Sequence, residues 1–392
     1  MNKNIISKEI QDFINDNLKS DINKLILKGS PFEDITIQEL AQQIEGKKKA
    51  FKKLPLWFET EGIYFPPKLN LEQTSSETTA QYKAGLVSGN SLIDLTGGFG
   101  IDCSYFSKVF QEVHHCEMNE ELSDIVSYNN KIFNFKNIHT HKGNSLEILK
   151  KLNTKHDCIY VDPSRRHDVK GKVFLLNDCV PNIPKNLDFL FEFTDKILVK
   201  NSPILDITNT INELNFVKEV HIIAVQNEVK EFLILLEKKY SGAIKISTKN
   251  ILKESQQDFS FEYNSSANSI YGNPESFLYE PNAAILKSGA FHNITESYPI
   301  KKLQQHTHLY TSDKLVENFP GRIFKINDIL SYDKKKLIKS FPEKKANITI
   351  RNFPETVAHI RKKIKFKEGG DIYLFFTTNQ ENKKIVISCS KA

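Results

Sequence analysis

Five cysteines (Cys103, Cys116, Cys158, Cys179 and Cys389) are scattered through 392 residues without one C-x-x-C pair. An odd, dispersed set excludes a disulfide framework and a cysteine-rich zinc site, and it fits a reducing cytoplasm. No apolar run approaches the roughly eighteen residues of a membrane span. The opening Met-Asn-Lys-Asn leads into a polar helical pattern rather than a secretory h-region, which argues against export. Internal repeats and low-complexity segments are also missing. What remains is a globular composition, 39% hydrophobic and 26% charged with 27 Phe and 13 Tyr, which excludes disordered and collagenous classes. A chain of this length exceeds what one hydrophobic core usually serves, so two or three domains are expected.

The net charge of +6 is modest, but it is unevenly placed. Residues 331–392 hold 15 Lys/Arg against 6 Asp/Glu, an excess of 15 − 6 = 9, so the rest of the chain carries 6 − 9 = −3. A basic C-terminal module points to a partner bearing phosphates, such as a nucleic acid, although lysine runs are more often simply a solvated surface.

Three regions separate by pattern. Residues 1–88 read as helical: Ile10, Phe13, Ile14 and Leu18 recur at helical spacing, as do Leu25 and Leu27 after Asp21, and Ile37, Leu40 and Ile44 after Thr36. Thr74-Ser75-Ser76-Glu77 has the form of a capping box opening a helix that Gly89 could close. Residues 89–240 alternate short apolar runs with helical patterns, the mark of βαβ units over a parallel sheet. Strands are expected at 91–96, 113–116, 138–141, 158–161 and 197–199. Val220–Val225 and Phe232–Leu236 stand too close for a helical crossover, so they read as an antiparallel pair closing a mostly parallel sheet. Residues 241–392 read as a separate α+β domain, with strands near 348–350, 373–377 and 385–388 and a helix from Glu355 to about Lys363.

The chemistry concentrates in Leu92-Ile93-Asp94-Leu95-Thr96-Gly97-Gly98-Phe99-Gly100-Ile101-Asp102, an apolar strand running into a glycine turn that opens a helix. Glycines there let a ligand approach the backbone. A nicotinamide dinucleotide would want G-x-G-x-x-G, but the third glycine position falls on Cys103. Asp94 beside the turn would repel a pyrophosphate and suit the cationic S-adenosylmethionine, so an oxidoreductase is the weaker alternative. Glu117 follows Gly100 by seventeen residues, where a carboxylate can accept both ribose hydroxyls. Met118 beside it can face an adenine. Asn144 and Ser145 follow the third strand and can reach the adenine edge, although Asn-Ser is equally an ordinary helix cap.

The fourth strand ends in Asp162-Pro163-Ser164-Arg165-Arg166. Ligands in open α/β sheets sit at the carboxyl ends of strands. Asp162 can hold an attacking amine or ring nitrogen there, and Arg165 and Arg166 can clamp a phosphate or carboxylate. About thirty residues then pass before strand five, including Gly171, Pro181 and Pro184, which is the length of a lid or substrate loop. Cys103 and Cys158 read as core rather than as nucleophiles. His114-His115-Cys116 is too compact for a closed metal site, and no metal is expected. Phe353, Tyr373, Phe375 and Phe376 lie among basic residues and could stack on unpaired bases, although alternating strand aromatics are more often core.

These residues together resemble the class I S-adenosylmethionine-dependent methyltransferases, and more narrowly the bacterial ones that carry a C-terminal THUMP-like domain. The matching stretches are Leu71 to Glu77, Asp94 to Gly100, Asp162 to Arg166, Glu280-Pro281-Asn282-Ala283-Ala284-Ile285-Leu286-Lys287, Phe319-Pro320-Gly321-Arg322 and Arg351-Asn352-Phe353-Pro354. The likeness implies a Rossmann-like α/β sheet, mostly parallel with an antiparallel final strand. A helical N-terminal segment would precede it, and an α+β THUMP-like domain would follow. It implies that Asp94, Thr96, Gly97, Gly98, Phe99, Gly100, Asp102, Glu117, Asn144 and Asp162 line a cofactor pocket, with Gln73, Thr74 and Ser75 over it. THUMP modules are associated with RNA, in keeping with the basic C-terminal excess. Asp162-Pro163-Ser164-Arg165 stands where many methyltransferases of base amino groups carry (D/N)-P-P-(Y/F), so amino-group chemistry is not carried over. The expected activity is methyl transfer to RNA. The alternatives are an RNA-binding protein without turnover, or a protein or small-molecule acceptor.

Overall fold

A computed structural model describes residues 1–165 and 175–392. Arg166 and Gly171 lie outside the described residues, and Arg165 is described by its backbone alone. The chain forms two compact units, Met1–Lys218 with Leu233–Ser241, and Glu219–Phe232 with Gly242–Ala392.

The first unit opens with helices α1 (Lys8–Asp16), α2 (Ile22–Lys28), α3 (Ile37–Lys53), α4 (Pro55–Glu59), α5 (Lys68–Gln73) and α6 (Glu77–Ala84). Local chemistry sets their ends. The Asp21 side chain accepts the N–H groups of Asn23 and Lys24, and Thr36 with Glu39 forms a reciprocal capping box before α3. The Thr74–Glu77 box does not form. Ser76 caps α6 by accepting from the Thr79 N–H, and the helix stops at Gly85 while Gly89 begins a strand. Glu77 accepts instead from the Leu56 N–H (2.6 Å) and the Tyr105 hydroxyl (3.0 Å).

Strand and helix then alternate: β1 (Gly89–Asp94), α7 (Ile101–Phe106), β2 (Phe110–Glu117), α8 (Glu120–Ile132), β3 (Ile138–Lys142), α9 (Ser145–Leu152) and β4 (Cys158–Val161). A short antiparallel ribbon, β5 (Ser164–Arg165) with β6 (Cys179–Val180), precedes α10 (Ile183–Phe193), β7 (Lys196–Asn201) and α11 (Ile207–Asn212). The stretch read as one long loop therefore holds a helix. The parallel strands run in the order β7-β4-β1-β2-β3. All four residues of β4 are buried, as are Leu92 and Ile93 of β1 and Ile197 to Val199 of β7. Strands covered on both faces take continuous apolar runs of this kind. After β3 the chain returns to the other side of β1, so the strand order reverses between β1 and β4. That reversal opens a crevice at their carboxyl ends.

The hairpin β8 (Val217–Val225) and β9 (Glu228–Glu237) has residues in both units. In the second unit, β10 (Lys245–Ile251) runs parallel to β8 and antiparallel to β11 (Gln256–Glu262). Next come β12 (Phe277–Pro281), α12 (Ala283–Ser288), α13 (Asn293–Ser297), β13 (Lys301–Gln304), β14 (Thr307–Ser312), β15 (Gly321–Ser331), α14 (Lys334–Ser340), β16 (Asn347–Arg351), α15 (Val357–Ile364), β17 (Tyr373–Thr378) and β18 (Lys384–Lys391). A seven-stranded sheet has the order β13-β14-β12-β15-β18-β17-β16. It curls until β14 meets the β16 end, where the Thr307 hydroxyl donates to the Thr378 carbonyl and accepts from the Asn352 amide. Phe375 and Phe376 are fully buried, Phe353 packs edge-on to Phe376, and Tyr373 packs on Phe324. Phe375 and Phe376 therefore build the core, while Phe353 and Tyr373 pack half-buried against it.

Among the described residues no helix is long and apolar enough to cross a membrane. In the first unit, His114, His139 and His141 share one face of β2 and β3 with His156, whose ring accepts or donates to the Ser91 hydroxyl at 2.8 Å. Burial, helped by the neighbouring His114, pushes His156 down to about 4. An unfolded histidine takes up a proton near 6.5, so between pH 6.5 and 4 the unfolded chain holds more protons. Stability present above pH 6.5 is therefore lost on acidification. After discounting for partial solvation, His156 accounts for about 1–2 kcal/mol of that loss. Urea unfolding of wild type and His156→Asn at pH 7 and 4.5 checks this, with a smaller loss expected in the variant.

Candidate functional site

The crevice between β1 and β4 gathers the glycine turn, Glu117 and Asp162, because each lies at or just beyond the carboxyl end of its strand. Asp94 closes β1 at 1% exposure. Its Oδ1 accepts from the Thr96 N–H (2.8 Å) and hydroxyl (3.2 Å), and its Oδ2 from the Cys103 thiol (3.2 Å). Burial pushes its carboxyl up to about 7, with Asp102 adding to the rise. Asp94 thus shapes the turn from beneath and leaves the surface charge to others. The Cys103 thiol is held well above its usual range, first by burial and then by Asp94, and burial lifts Cys158 to about 12. Neither is a thiolate, so nucleophilic catalysis by cysteine has no support among these residues.

The glycines divide by function. A Cβ on Gly97 would stand 2.3 Å from the His115 ring and one on Gly100 2.9 Å from Val126, so both are required by packing against β2 and α8. Gly98, at φ +53°, would meet nothing closer than 3.8 Å, which leaves its outer side open. Phe99 is buried at 4% exposure and faces the core. Glu117 reaches the turn directly: Oε2 accepts the Gly98 N–H (2.9 Å) while Oε1 accepts that of Asn119 (2.7 Å). The carboxylate therefore occupies the backbone donor that a pyrophosphate would need. α7 has only six residues and adds little dipole there.

Across the crevice the Asp162 N–H donates to the Thr96 hydroxyl at 2.6 Å, tying the end of β4 to the turn. The Asp162 side chain, 34% exposed, is ion-paired with Lys200 from β7 (2.5 Å). Beneath lies a buried polar knot. Asp102 accepts from the Ser75 hydroxyl (2.8 Å) and the Tyr160 hydroxyl (2.9 Å) and pairs with the fully buried Lys83 (3.1 Å), which also donates to Ser75 (2.8 Å). Burial opposes ionisation of Asp102, but the charges of Lys83 and Lys200 outweigh it and hold its pKa below the ordinary value. Ser75 thereby fastens the N-terminal segment to α7.

The remaining expected residues sit at the edge. Met118 is 63% exposed beside Glu117. Asn144 caps α9 by accepting from the Leu146 and Glu147 N–H groups, and the half-buried Ser145 begins that helix. The preceding Gly143 N–H donates to the Glu117 carbonyl (2.9 Å), which brings this loop to the end of β2. Gln73 is exposed at the end of α5, and Thr74 is half-buried after it. Lys83, Tyr160 and Lys200 were not singled out from sequence. Each carries no motif spacing, and only the tertiary fold brings them to Asp102 and Asp162. Among the described residues no group of three or more His, Cys, Asp or Glu side chains is arranged to hold a metal.

Comparison with known proteins places these parts. Residues 277–320 match the ferredoxin-like domain model and residues 321–391 the THUMP domain-like model. A crystal structure from Porphyromonas gingivalis W83, designated a candidate methyltransferase, is 29% identical at a TM-score of 0.88. The match covers 100% of this chain and 98% of that one. An O-methyltransferase from Bacillus cereus, in complex with SAH, is 14% identical at a TM-score of 0.34, covering 48% of this chain and 99% of its own. An rRNA methylase from Streptococcus thermophilus is 11% identical at 0.30, covering 41% and 94%. No curated protein matches the chain. The architecture is a Rossmann-like methyltransferase fold joined to a C-terminal THUMP-like domain.

Proposed function

We propose that the chain transfers a methyl group from S-adenosylmethionine to RNA, at a nucleophile held beside Asp162. The observation that carries this reading is the convergence, at one strand-order reversal, of Glu117 on the N–H of Gly98, whose outer side is open, and of the Asp162–Lys200 pair, with the Asp162 N–H on Thr96. The donor set fits a nucleoside cation. Glu117 is an acceptor placed for ribose hydroxyls, and a carboxylate already gripping the turn disfavours pyrophosphate. S-adenosylmethionine, when bound, supplies an electrophilic methyl on a sulfonium. The chain's own work is then alignment and exclusion of water, which can account for several orders of magnitude. Asp162 would orient the acceptor or take its proton. Lys200, paired with that carboxylate, would fix it in place as a positioning residue.

RNA as the acceptor is supported by the basic excess of residues 331–392 and by the THUMP-like match over 321–391 that overlaps them. The test is labelled methyl incorporation from S-adenosylmethionine into total RNA, with mass-spectrometric comparison of nucleosides from cells with and without the gene. A missing methylated nucleoside is expected. An unchanged profile together with incorporation into protein would move the acceptor, and no incorporation anywhere would leave a binding protein. Asp162→Asn and Lys200→Met should each reduce RNA methylation by about 100-fold or more. Calorimetric affinity for S-adenosylmethionine should stay within about threefold, because neither side chain is placed at the ribose.

A further inference from the structure

Glu280 stands next to the end of β12 with its side chain 4% exposed, and two arginines converge on it. The antiparallel register sets Glu280 opposite Arg322 of β15. The Arg322 Nε donates to Oε2 at 2.6 Å and a terminal nitrogen pairs with the same oxygen. Arg351, at the end of β16, reaches Oε1 from the other side at 2.5 Å. Its second terminal nitrogen donates to the Ile350 carbonyl (2.7 Å). Arg322 also lies over the Phe324 ring, 5.4 Å from its centroid. The three residues belong to the stretches Glu280 to Lys287, Phe319 to Arg322 and Arg351 to Pro354, for which the crevice in the first unit gives no use.

Charge stoichiometry separates a site from a staple. A buried carboxylate needs one well-placed cation, and a staple between these strands would be complete with Arg322 alone. Here two guanidiniums share one carboxylate, which leaves a net charge of +1. Both side chains remain open to solvent, Arg322 at 47% and Arg351 at 34%. Each guanidinium has five N–H donors in a rigid fork. The contacts above, one hydrogen bond and one ion pair on each arginine, engage no more than two of these donors apiece, so at least three per arginine are left for an outside acceptor. Their orientation is already fixed by Glu280, Phe324 and the Ile350 carbonyl, so little side-chain entropy is lost when an anion arrives.

We infer that Arg322 and Arg351, splayed on Glu280, form a phosphodiester-binding fork through which the THUMP-like domain holds the RNA backbone. This rests on the RNA reading above and assigns it a contact point. The two non-bridging oxygens of a phosphodiester can accept together from one forked guanidinium, and such contacts position a nucleic acid without reading its sequence.

The test measures binding of a fluorescein-labelled single-stranded 20-mer of uridine to the full chain by anisotropy, between 50 and 300 mM salt. For single strands the slope of log affinity against log salt is about −0.7 per neutralised phosphate. Arg322→Gln and Arg351→Gln should each weaken binding about 5–20-fold at low salt and flatten the slope by about 0.7, and the double variant by about 1.4. Each single variant leaves Glu280 with one guanidinium and so keeps the buried charge paired. Arg322→Lys, which retains charge but not the fork, should keep the slope and lose only about threefold in affinity. Lys24→Gln, on exposed α2, should change neither.

Wild-type slopes in folded Arg322→Gln and Arg351→Gln would overturn the fork while leaving the RNA reading intact. Equal flattening in Lys24→Gln would overturn it in favour of diffuse surface charge. A wild-type chain that binds no RNA would sink both the fork and its premise, whatever its calorimetric affinity for S-adenosylmethionine.

Discussion

Lys83→Met should lower the free energy of unfolding by about 3–5 kcal/mol, the usual cost of stripping one partner from a buried ion pair. Lys83 is fully buried, pairs with Asp102 at 3.1 Å and donates to the Ser75 hydroxyl. Methionine fills much the same volume, so the loss would come from electrostatics and not from a cavity. Asp102 would keep the Ser75 and Tyr160 hydroxyls but lose its nearest cation, and its carboxyl would be driven toward the protonated form by the burial that already opposes ionisation. Urea unfolding at pH 7 measures the effect. The double variant Lys83→Met/Asp102→Leu should recover most of the loss, because an uncharged packed pair is often no less stable than a buried ion pair. A loss under about 1 kcal/mol in Lys83→Met would show that this knot is solvated, and the anchoring of the N-terminal segment through Ser75 would then need another cause.

What could be read from the chain follows the range of the forces involved. Strand β4 is found at Cys158–Val161 as expected, since a short run buried on both faces has no ambiguous edge residue. At α3 the Thr36–Glu39 box forms because its partners are three residues apart, and Glu39 can serve the Asn2 amide through Oε1 while Oε2 stays on Thr36. The Thr74–Glu77 box fails where a competitor exists: Ser76 is a better-placed cap, and Glu77 is drawn to Tyr105 and Leu56. Helix α10 was hidden by Pro181 and Pro184, which read as loop. Yet Asn182 caps it, and a proline in the first turn lacks only an N–H that would have been unpaired. Leu27, expected on the buried stripe of α2, is 87% exposed because only Leu25 of that short helix faces the core.

The candidate site divides in the same way. Glu117, Gly98 and Asp162 were legible because strand ends and turns announce themselves by residue type and spacing. Lys83, Tyr160 and Lys200 were not, since a lysine in a helix or a tyrosine in a strand has its ordinary place on a surface or in a core. Asp94 shows the limit from the other side. Its place at the end of β1 is legible in the sequence, but its burial is a product of α7 folding over it, which no local pattern records.

Glu117→Ala should weaken calorimetric binding of S-adenosylhomocysteine by about 10–100-fold. A hydrogen bond to a charged group contributes about 1.5–3 kcal/mol, and each 1.4 kcal/mol is tenfold. Two losses combine in this variant: the acceptor for the ribose hydroxyls disappears, and the Gly98 N–H is released from Oε2, so the open face of the turn is no longer held in shape. Glu117→Gln separates them. An amide oxygen can still accept from the Gly98 N–H, but the amide nitrogen then faces the Asn119 donor, so the turn is partly kept while the second acceptor is lost. Its affinity should fall between wild type and Glu117→Ala. Both variants should melt within a few degrees of wild type, since the side chain is half-buried at a strand end and fills no core position. If S-adenosylhomocysteine binds wild type and both variants alike, the cofactor does not lie across the end of β2, and the assignment of Asp162 as its neighbour falls with it. If only Glu117→Ala is weakened and Glu117→Gln is not, the carboxylate's charge is dispensable, and the turn's shape alone would then define the pocket.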